Sequence, residues 1–374
     1  MEDLQETSVL VVGGGIGGLA TAIALRKAGA GVEVAEINDD WSVAGWGLAL
    51  TGPALRALDS LGLADTLIER GYGLNQLFNR DSSGEVVNTQ DFPSLLGRGR
   101  PAQAGMSRPV LAQVLLEAAE TAGVTLRNSL TLASFTEGPD SIAATMSDGT
   151  TRTVDLIVGA DGVFSKVRTA LGVTEEPVYT GQMIWRAIVP RPEWSTGIST
   201  FSGGTNNAGL IPLSDTQAYC FLTENTDNTS FLSNEELADR MRELLAPFSG
   251  KVAEVRETIT DPSTVIRRPA HTLFVKPPWH KGRVVLLGDA VHSPSPQLTS
   301  GTAMAVEDAL VLVEELGRAN SVVEALDAYG KRRARRCAPV VSMAYEISQL
   351  ERTGRYHETY PLHGKAHAAM AEVI

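Results

Sequence analysis

Ser8-Val9-Leu10-Val11-Val12-Gly13-Gly14-Gly15-Ile16-Gly17-Gly18 is the stretch that decides the fold. Ser8 to Val12 is a short apolar run of the kind that forms a buried parallel strand. Ile16 to Ala28 follows as a helical stretch ending at Gly29, a C-cap residue, and Gly31 to Glu36 reads as a second strand. The three make a strand–helix–strand unit of about 30 residues with a right-handed crossover. The glycines between strand and helix satisfy G-x-G-x-x-G. Gly13 permits the tight turn, Gly15 lets a pyrophosphate sit against the backbone, and Gly18 lets the helix pack close to the strand. The diphosphate then faces the free N–H groups and the positive dipole end of the helix. Glu36 ends the second strand with a carboxylate able to accept both hydroxyls of an adenosine ribose.

Far along the chain, Gly282-Arg283-Val284-Val285-Leu286-Leu287-Gly288-Asp289-Ala290-Val291-His292 is another buried strand. It delivers Asp289 at its carboxyl end, where α/β sheets bind ligands. A Pro-rich loop, Ser293 to Gln297, precedes the small residues Thr299-Ser300-Gly301-Thr302-Ala303, which open a helix. Asp289 can accept a hydrogen bond from a polyol, and the helix start offers N–H groups to something large, flat and electron-rich. A dinucleotide whose second half is a flavin meets these demands. NAD(P) alone would not need a second anchoring strand about 270 residues after the first. Between the two lies Asp155-Leu156-Ile157-Val158-Gly159-Ala160-Asp161-Gly162, with Ser165 and Arg168 beyond. In isolation it fits an ordinary strand-to-turn junction as well as a functional one.

Around these motifs the chain is mixed α/β. Gly52-Pro53 opens a helix that stops at Gly62, Leu74 to Asn88 reads as a strand pair turning at Ser82-Ser83-Gly84, and Arg108 to Ala122 as a helix. From about Val178 to Ile266, strand-like runs at Met183–Val189, Asn207–Pro212 and Ala218–Thr223 predict an antiparallel sheet, with two helices after Ser233. Helices follow at Gly301 to Gly317 and from Ser321 to about Leu350, and the tail is a loose final helix.

Composition removes several classes. The chain has 374 residues with 43% apolar and 20% charged, which is ordinary for a globular protein. Lys plus Arg is 32 against 44 Asp plus Glu, a net charge of −12, so no basic face for nucleic acid is expected. The one basic run, Lys331 to Arg336 (KRRARR), reads as a solvated helix face. Cys220 and Cys337 have no CxxC partner, and His363 and His367, though spaced i,i+4, read as a surface helix, so no metal site is expected. No apolar run approaches a bilayer span, and the N-terminal segment carries acids where a signal peptide is basic. The expectation is a cytoplasmic protein with no membrane partner, a monomer or homodimer.

The order GGGIGG, then DLIVGADGVFSKVR, then GRVVLLGDAVHSPSP resembles the class A flavoprotein aromatic hydroxylases, the single-component FAD monooxygenases sharing the p-hydroxybenzoate hydroxylase fold. The resemblance covers about residues 8 to 345. YTGQMIWRAIVP, Tyr179 to Pro190, is similar to the branch holding salicylate hydroxylase, 6-hydroxynicotinate 3-monooxygenase and a bacterial urate hydroxylase. It implies a Rossmann-like FAD-binding domain of the GR2 type, built from residues 1–73, 101–177 and 268–350. The last part carries long helices. A discontinuous antiparallel-sheet substrate domain takes 74–100 and 178–267, and 351–374 is a tail. It implies FAD held by Gly13, Gly15, Ile16, Gly17, Gly18, Glu36, Gly47, Arg108, the Leu130 backbone, Asp161, Gly288, Asp289, Thr299, Ser300, Gly301, Thr302 and Ala303. Asp161 and Arg168 belong to a motif that also serves reduced nicotinamide. The loop departs from the family's G-x-G: it reads Gln297-Leu298-Thr299-Ser300-Gly301, whose added side chains narrow the space beside the ring.

The chemistry the resemblance implies is that NAD(P)H reduces FAD, O₂ adds to give a C4a-hydroperoxide, and the terminal oxygen passes to an electron-rich aromatic or heteroaromatic ring. Such a site must exclude water. Trp46, Leu48, Phe221 and the Pro296 loop are the expected walls, and Ala49 and Asn207 stand where relatives place other pocket residues. Tyr219 is the leading catalytic candidate, and Cys220 should point to the opposite face of its strand. Arg186 pairs with either a substrate anion or a structural acid. The ring reacts best as a phenolate, and ionising a phenol at neutral pH costs about 4 kcal/mol. Without an obvious carboxylate clamp, a neutral or heterocyclic phenol-like substrate is expected. The alternatives are a flavin reductase or halogenase on the same fold, or an inactive flavin-binding module.

Overall fold

The computed structural model describes residues 4–41, 46–202 and 206–374. A six-stranded sheet carries the nucleotide side. Its order is His280–Lys281, Val284–Leu286, Leu156–Gly159, Ser8–Val12, Gly31–Ala35, Thr125–Arg127, and all but the first strand run parallel. The apolar runs fill these strands because both faces are covered, with Val9 to Val12, Leu156 to Val158 and Val284 to Leu286 buried. The helix Ile16–Lys27 packs on one side against the helix Gly301–Leu316.

The register brings the motifs together. Val12 pairs with Ala35 and with Gly159, and Gly159 pairs with Leu286. The glycine loop, Glu36, Asp161 and Asp289 therefore leave the same carboxyl edge of one sheet.

The second sheet has eight strands in the order His292–Ser293, Val265–Phe274, Val178–Pro190, Gln217–Asn225, Asn207–Pro212, Ile198–Phe201, Gln76–Arg80, Val86–Asp91. The expected strand pair near Ser82-Ser83-Gly84 joins this sheet through Ile198–Phe201. Alternation along the strands separates two faces. Trp185, Ala187, Val189, Cys220 and Leu222 pack under the helices Leu237–Leu245 and Gly250–Glu257. Gln182, Ile184, Arg186 and Ile188 lie on the other face in register with Asn225, Thr223, Phe221 and Tyr219. That inner face turns toward the strand Gly47–Leu50, where Ala49 packs with Tyr219 and Ile211.

The basic run corrects the sequence expectation. KRRARR lies in the helix Val322–Arg352, but it is not a solvated face. Arg333 is buried and binds Asp308 at 2.6 Å and Glu307 at 3.0 Å. Arg336 binds Glu307 at 2.7 Å and donates to the carbonyls of Ala369 and Met370, tying down the tail helix Tyr360–Ala371. Glu307 and Asp308 sit buried amid the apolar residues of the helix Gly301–Leu316, and two buried acids demand cations. Only every third or fourth residue of the run faces them, which is why a run of charge reads as surface.

Candidate active site

The glycine loop is shaped for a close ligand. Gly13 has φ +109°, and a Cβ there would lie 2.3 Å from the Ala160 carbonyl oxygen. A Cβ on Gly18 would lie 1.9 Å from the Gly13 oxygen, so these two glycines serve the turn and the strand–helix packing. Gly15 differs: a Cβ there would meet nothing within 4 Å. The open space lies at the N-cap of a 12-residue helix, where backbone N–H groups and the dipole favour an anion. Glu36 closes the adenosine side, its carboxylate accepting from the Gly14 N–H at 2.7 Å and the Asn38 N–H at 2.9 Å. Leu130 donates its N–H to the Glu36 carbonyl at 2.9 Å, leaving its own carbonyl for any ligand contact.

At the far end, Gly288 has φ +61° and gives its N–H to Asp308 at 2.9 Å. Asp308 also accepts from His292 Nε2 at 2.6 Å. This buried clamp holds the turn that presents Asp289. The Asp289 side chain stays open to the cleft although protein surrounds it, and that enclosure pushes its carboxyl up, against the pull of His292, Arg108 and Ser293. Arg108 begins the helix Arg108–Thr121, with Ser107 as N-cap and its own N–H on the Trp46 carbonyl at 2.9 Å. Its exposed side chain acts on Asp289 and on Tyr219.

Two residues of the middle motif do structural work. The Asp161 carboxylate takes the N–H groups of Lys166 and Val167 at 2.7 and 3.1 Å, together with the Ser165 hydroxyl, capping its own helix. Arg168 is buried and ties Val163 to Ala290 through their carbonyls at 2.9 and 3.0 Å. It joins the second and third motifs rather than facing a ligand.

Between the corners, Thr299 adopts φ +49°, a left-handed conformation that a β-branched residue rarely takes. The helix of Gly301, Thr302 and Ala303 starts immediately after it. Ser300 is buried and its hydroxyl has no partner. Pro296 opens the short turn Pro296–Leu298 and lines a cavity of about 190 Å³ with Arg186, Arg268 and His271. The Gly47 backbone presses on Tyr219, since a Cβ there would lie 2.1 Å from the ring. Burial raises the Tyr219 phenol, while the positive charges of Arg186 and Arg108 pull it down. Phe221 stacks beside Tyr219 at 5.9 Å and packs over Gly209. Trp46 donates its indole N–H to the Thr264 carbonyl, which anchors it to the sheet end.

Sequence reasoning missed Glu351. Its carboxyl, at the end of the long helix, takes hydrogen bonds from Gln297 at 3.1 Å and Gln182 at 3.3 Å, with the Asn207 amide acting on it as well. Burial raises it, and the three amides oppose that shift. No local pattern marks a lone Glu near a helix end. His271, without an expected role, lines the Pro296 cavity. His363 and His367 fall on the tail helix; burial and His367 push His363 down to about 4, and His367 lines an apolar cavity of about 140 Å³ with Leu298 and Ser300.

The residues present therefore fit FAD: an open glycine cradle and acid at one corner, a cleft-facing acid at the other, and a helix start between. Residues 6–344 match the family described as an FAD binding domain. The chain belongs to that family. YetM of Bacillus subtilis is 32% identical over 342 residues, 91% of this chain and 92% of that protein. Aurachin C monooxygenase/isomerase of Stigmatella aurantiaca is 30% identical, covering 92% and 89%. The 2-heptyl-3-hydroxy-4(1H)-quinolone synthase of Pseudomonas aeruginosa is 31% identical, covering 82% and 79%. The structure of Klebsiella pneumoniae HpxO with FAD and uric acid superposes with a TM-score of 0.86 over 98% of both chains at 24% identity, which establishes the shared fold. Flavin-dependent monooxygenation is the activity class of this family member, and FAD is its cofactor. Among the described residues no helix is long and apolar enough to cross a membrane.

Proposed function

We propose that this flavin monooxygenase uses NAD(P)H and O₂ to hydroxylate an aromatic or heteroaromatic, phenol-like small molecule. The observation that carries the reading is the inner face of the eight-stranded sheet. There Tyr219, Phe221 and Arg186 share one surface with the Pro296 cavity and stand under the strand of Ala49. FAD, when bound, supplies the redox chemistry that activates O₂. The chain's own residues hold it and shape the pocket. Gly13 to Gly18 and Glu36 would hold the adenosine end, and Asp289 and Arg108 the ribityl and diphosphate region. Thr299 to Ala303 would supply the helix start beside the flavin. The aromatic and aliphatic wall keeps water from the reacting atoms, and Tyr219 orients the ring. The relative named for a quinolone and the HpxO complex with uric acid support a ring substrate. We further propose the division at residues 73, 100, 177, 267 and 350 as the boundary between cofactor and substrate parts.

The test is NAD(P)H oxidation by the FAD-loaded protein across phenols and hydroxylated N-heterocycles. Ring-dependent acceleration of flavin reduction, with oxygenated product, is expected. Substrate reduction under argon without O₂ would favour a reductase instead.

A further inference from the structure

Away from the Tyr219 face, four separate parts of the chain enclose an apolar cavity of about 140 Å³. Pro53 reaches it from the start of the helix Gly52–Ser60, Phe92 and Leu95 from the segment after the strand Val86–Asp91, and Leu298 from the turn before Thr299. The tail helix Tyr360–Ala371 closes it with Ala366 and Met370. Neither Tyr219, Arg186 nor Pro296 lines it. The closing helix is fixed in place. Arg336 donates to the carbonyls of Ala369 and Met370 at 3.0 Å, and Arg56 to those of Met370 and Ala371 at 3.2 and 2.6 Å. The space is thus preformed, as small-molecule sites usually are. An apolar void of about 150 Å³ admits one benzene molecule, so this one has room for a single ring.

The wall is neutral. Among the described residues no Asp, Glu, Lys or Arg lines the cavity, and burial lowers His367, which keeps its imidazole uncharged at neutral pH. Polar groups interrupt the apolar surface, among them the His367 imidazole, the Gln103 amide and the Ser300 hydroxyl. Each can both donate and accept a hydrogen bond. The Ser300 hydroxyl is buried and has no partner, so a ligand that supplies one relieves a standing cost.

We propose that this cavity is a second small-molecule site, separate from the sheet face, and that it takes a neutral one-ring molecule carrying a hydroxyl. Pro53, Phe92 and Leu298 receive the ring, and the Ser300 hydroxyl pairs with the hydroxyl of the ligand. A charged ligand would lose its hydration with no opposite charge to meet it. The site bears on the loop before the flavin helix. Leu298 and Ser300 flank Thr299, whose left-handed backbone leads into the helix start at Gly301. A ligand packed on both neighbours of Thr299 braces that turn. Ligand and FAD then raise each other's affinity by the same factor, as linkage requires. The site goes beyond the hydroxylase reading and does not depend on which ring is oxygenated.

The experiment titrates 4-fluorobenzyl alcohol into the FAD-loaded protein and follows its fluorine resonance, with 4-fluorobenzoate as a charged counterpart of similar size. The alcohol is expected to bind at least about tenfold more tightly, because the benzoate would be buried unpaired. Ala366→Phe fills the cavity from the tail helix and is expected to keep bound FAD and lose the alcohol. Saturating alcohol is expected to tighten FAD binding about fivefold, read by flavin fluorescence as the loaded protein is diluted. Crystals of the FAD-loaded protein soaked in 4-bromobenzyl alcohol locate the ligand through the anomalous signal of bromine and need no variant. Bromine is expected between Leu298 and the tail helix. Bromine only on the Tyr219 face, benzoate bound as tightly as the alcohol, undiminished binding in a folded Ala366→Phe, or no binding of the alcohol overturns the site. An FAD affinity unmoved by the alcohol overturns the coupling. Each of those failures leaves ring-stimulated NAD(P)H oxidation intact, so the hydroxylase reading stands or falls separately.

Discussion

Gly15 and Gly18 lie three residues apart in one loop and are required for different reasons. The Gly18 position has no room, so Gly18→Ala forces the Gly13 backbone to move. Overpacking of that kind is expected to cost about 3 kcal/mol in urea unfolding of the apoprotein. The Gly15 position opens on empty space and already has extended N-cap geometry. Gly15→Ser is expected to leave apoprotein stability unchanged or a few tenths of a kcal/mol higher, because serine is a good cap. FAD affinity, read by fluorescence quenching, should fall at least about tenfold, because the new side chain occupies the space where a diphosphate meets the backbone. Equal FAD affinity in Gly15→Ser would place the diphosphate elsewhere. Tyr219→Phe removes the hydroxyl without removing the ring. It is expected to retain FAD and to slow hydroxylation or divert reduced flavin to peroxide, measured as the ratio of product to NAD(P)H consumed. An unchanged ratio would take Tyr219 out of the catalytic set. The close packing at Gly18 was legible in the spacing; that Arg186 and Phe221 stand opposite each other was not, because they meet only across neighbouring strands.

At the scale of elements, the helix Gly301–Leu316 and the helix Val322–Arg352 are joined by a buried ionic cluster rather than by apolar packing alone. Asp308 is its hub, bonded to Gly288, His292 and Arg333. Asp308→Asn removes the carboxylate that His292 and Arg333 share and leaves Arg333 with Glu307 alone; it is expected to cost about 3 kcal/mol, read by urea unfolding. The pH dependence has a defined sign. Burial opposes the charge on His292, but Asp308 and Cys337 beside it raise its pKa well above the ordinary value. Its stabilising contribution is full below the unfolded value of about 6.5 and is lost as pH rises through the folded one. Asp308 is held low by His292 and Arg333 despite burial. Its contribution is full above about 3.9 and is lost as pH falls through its lower folded value. Unfolding midpoints should therefore decline on the alkaline side, and His292→Gln should flatten that limb. A limb of the same slope in the variant would assign it to another group. The sequence held a sign of this cluster in Glu307-Asp308, two acids flanked on both sides by apolar residues, but the composition of KRRARR concealed which arginines answer them.

Taken whole, the molecule places the two glycine–acid corners at one edge of the six-stranded sheet and the Tyr219 face on the other sheet, so the proposed FAD site runs across the join. A ligand that binds only the folded chain stabilises it by mass action. FAD at about 100 times its dissociation constant should add roughly 2.7 kcal/mol to unfolding, and Asp289→Ala should reduce that gain at fixed FAD. The same gain in both proteins would mean that Asp289 does not face the cofactor. The sequence by itself determined the strand–helix–strand unit, the two glycine–acid corners, the split between mixed and antiparallel regions and the FAD cofactor. Each is local, written in turn geometry and in the period of apolar residues along a single element. Tertiary structure decided the rest. It buried Arg333 and Arg168, drew Glu351 to Gln297 and Gln182, and left Arg186 facing a cavity without an acid. These are contacts between residues tens to hundreds of positions apart. Whether a charge is solvated, paired or waiting for a ligand depends on what the fold sets against it, and no local pattern records that.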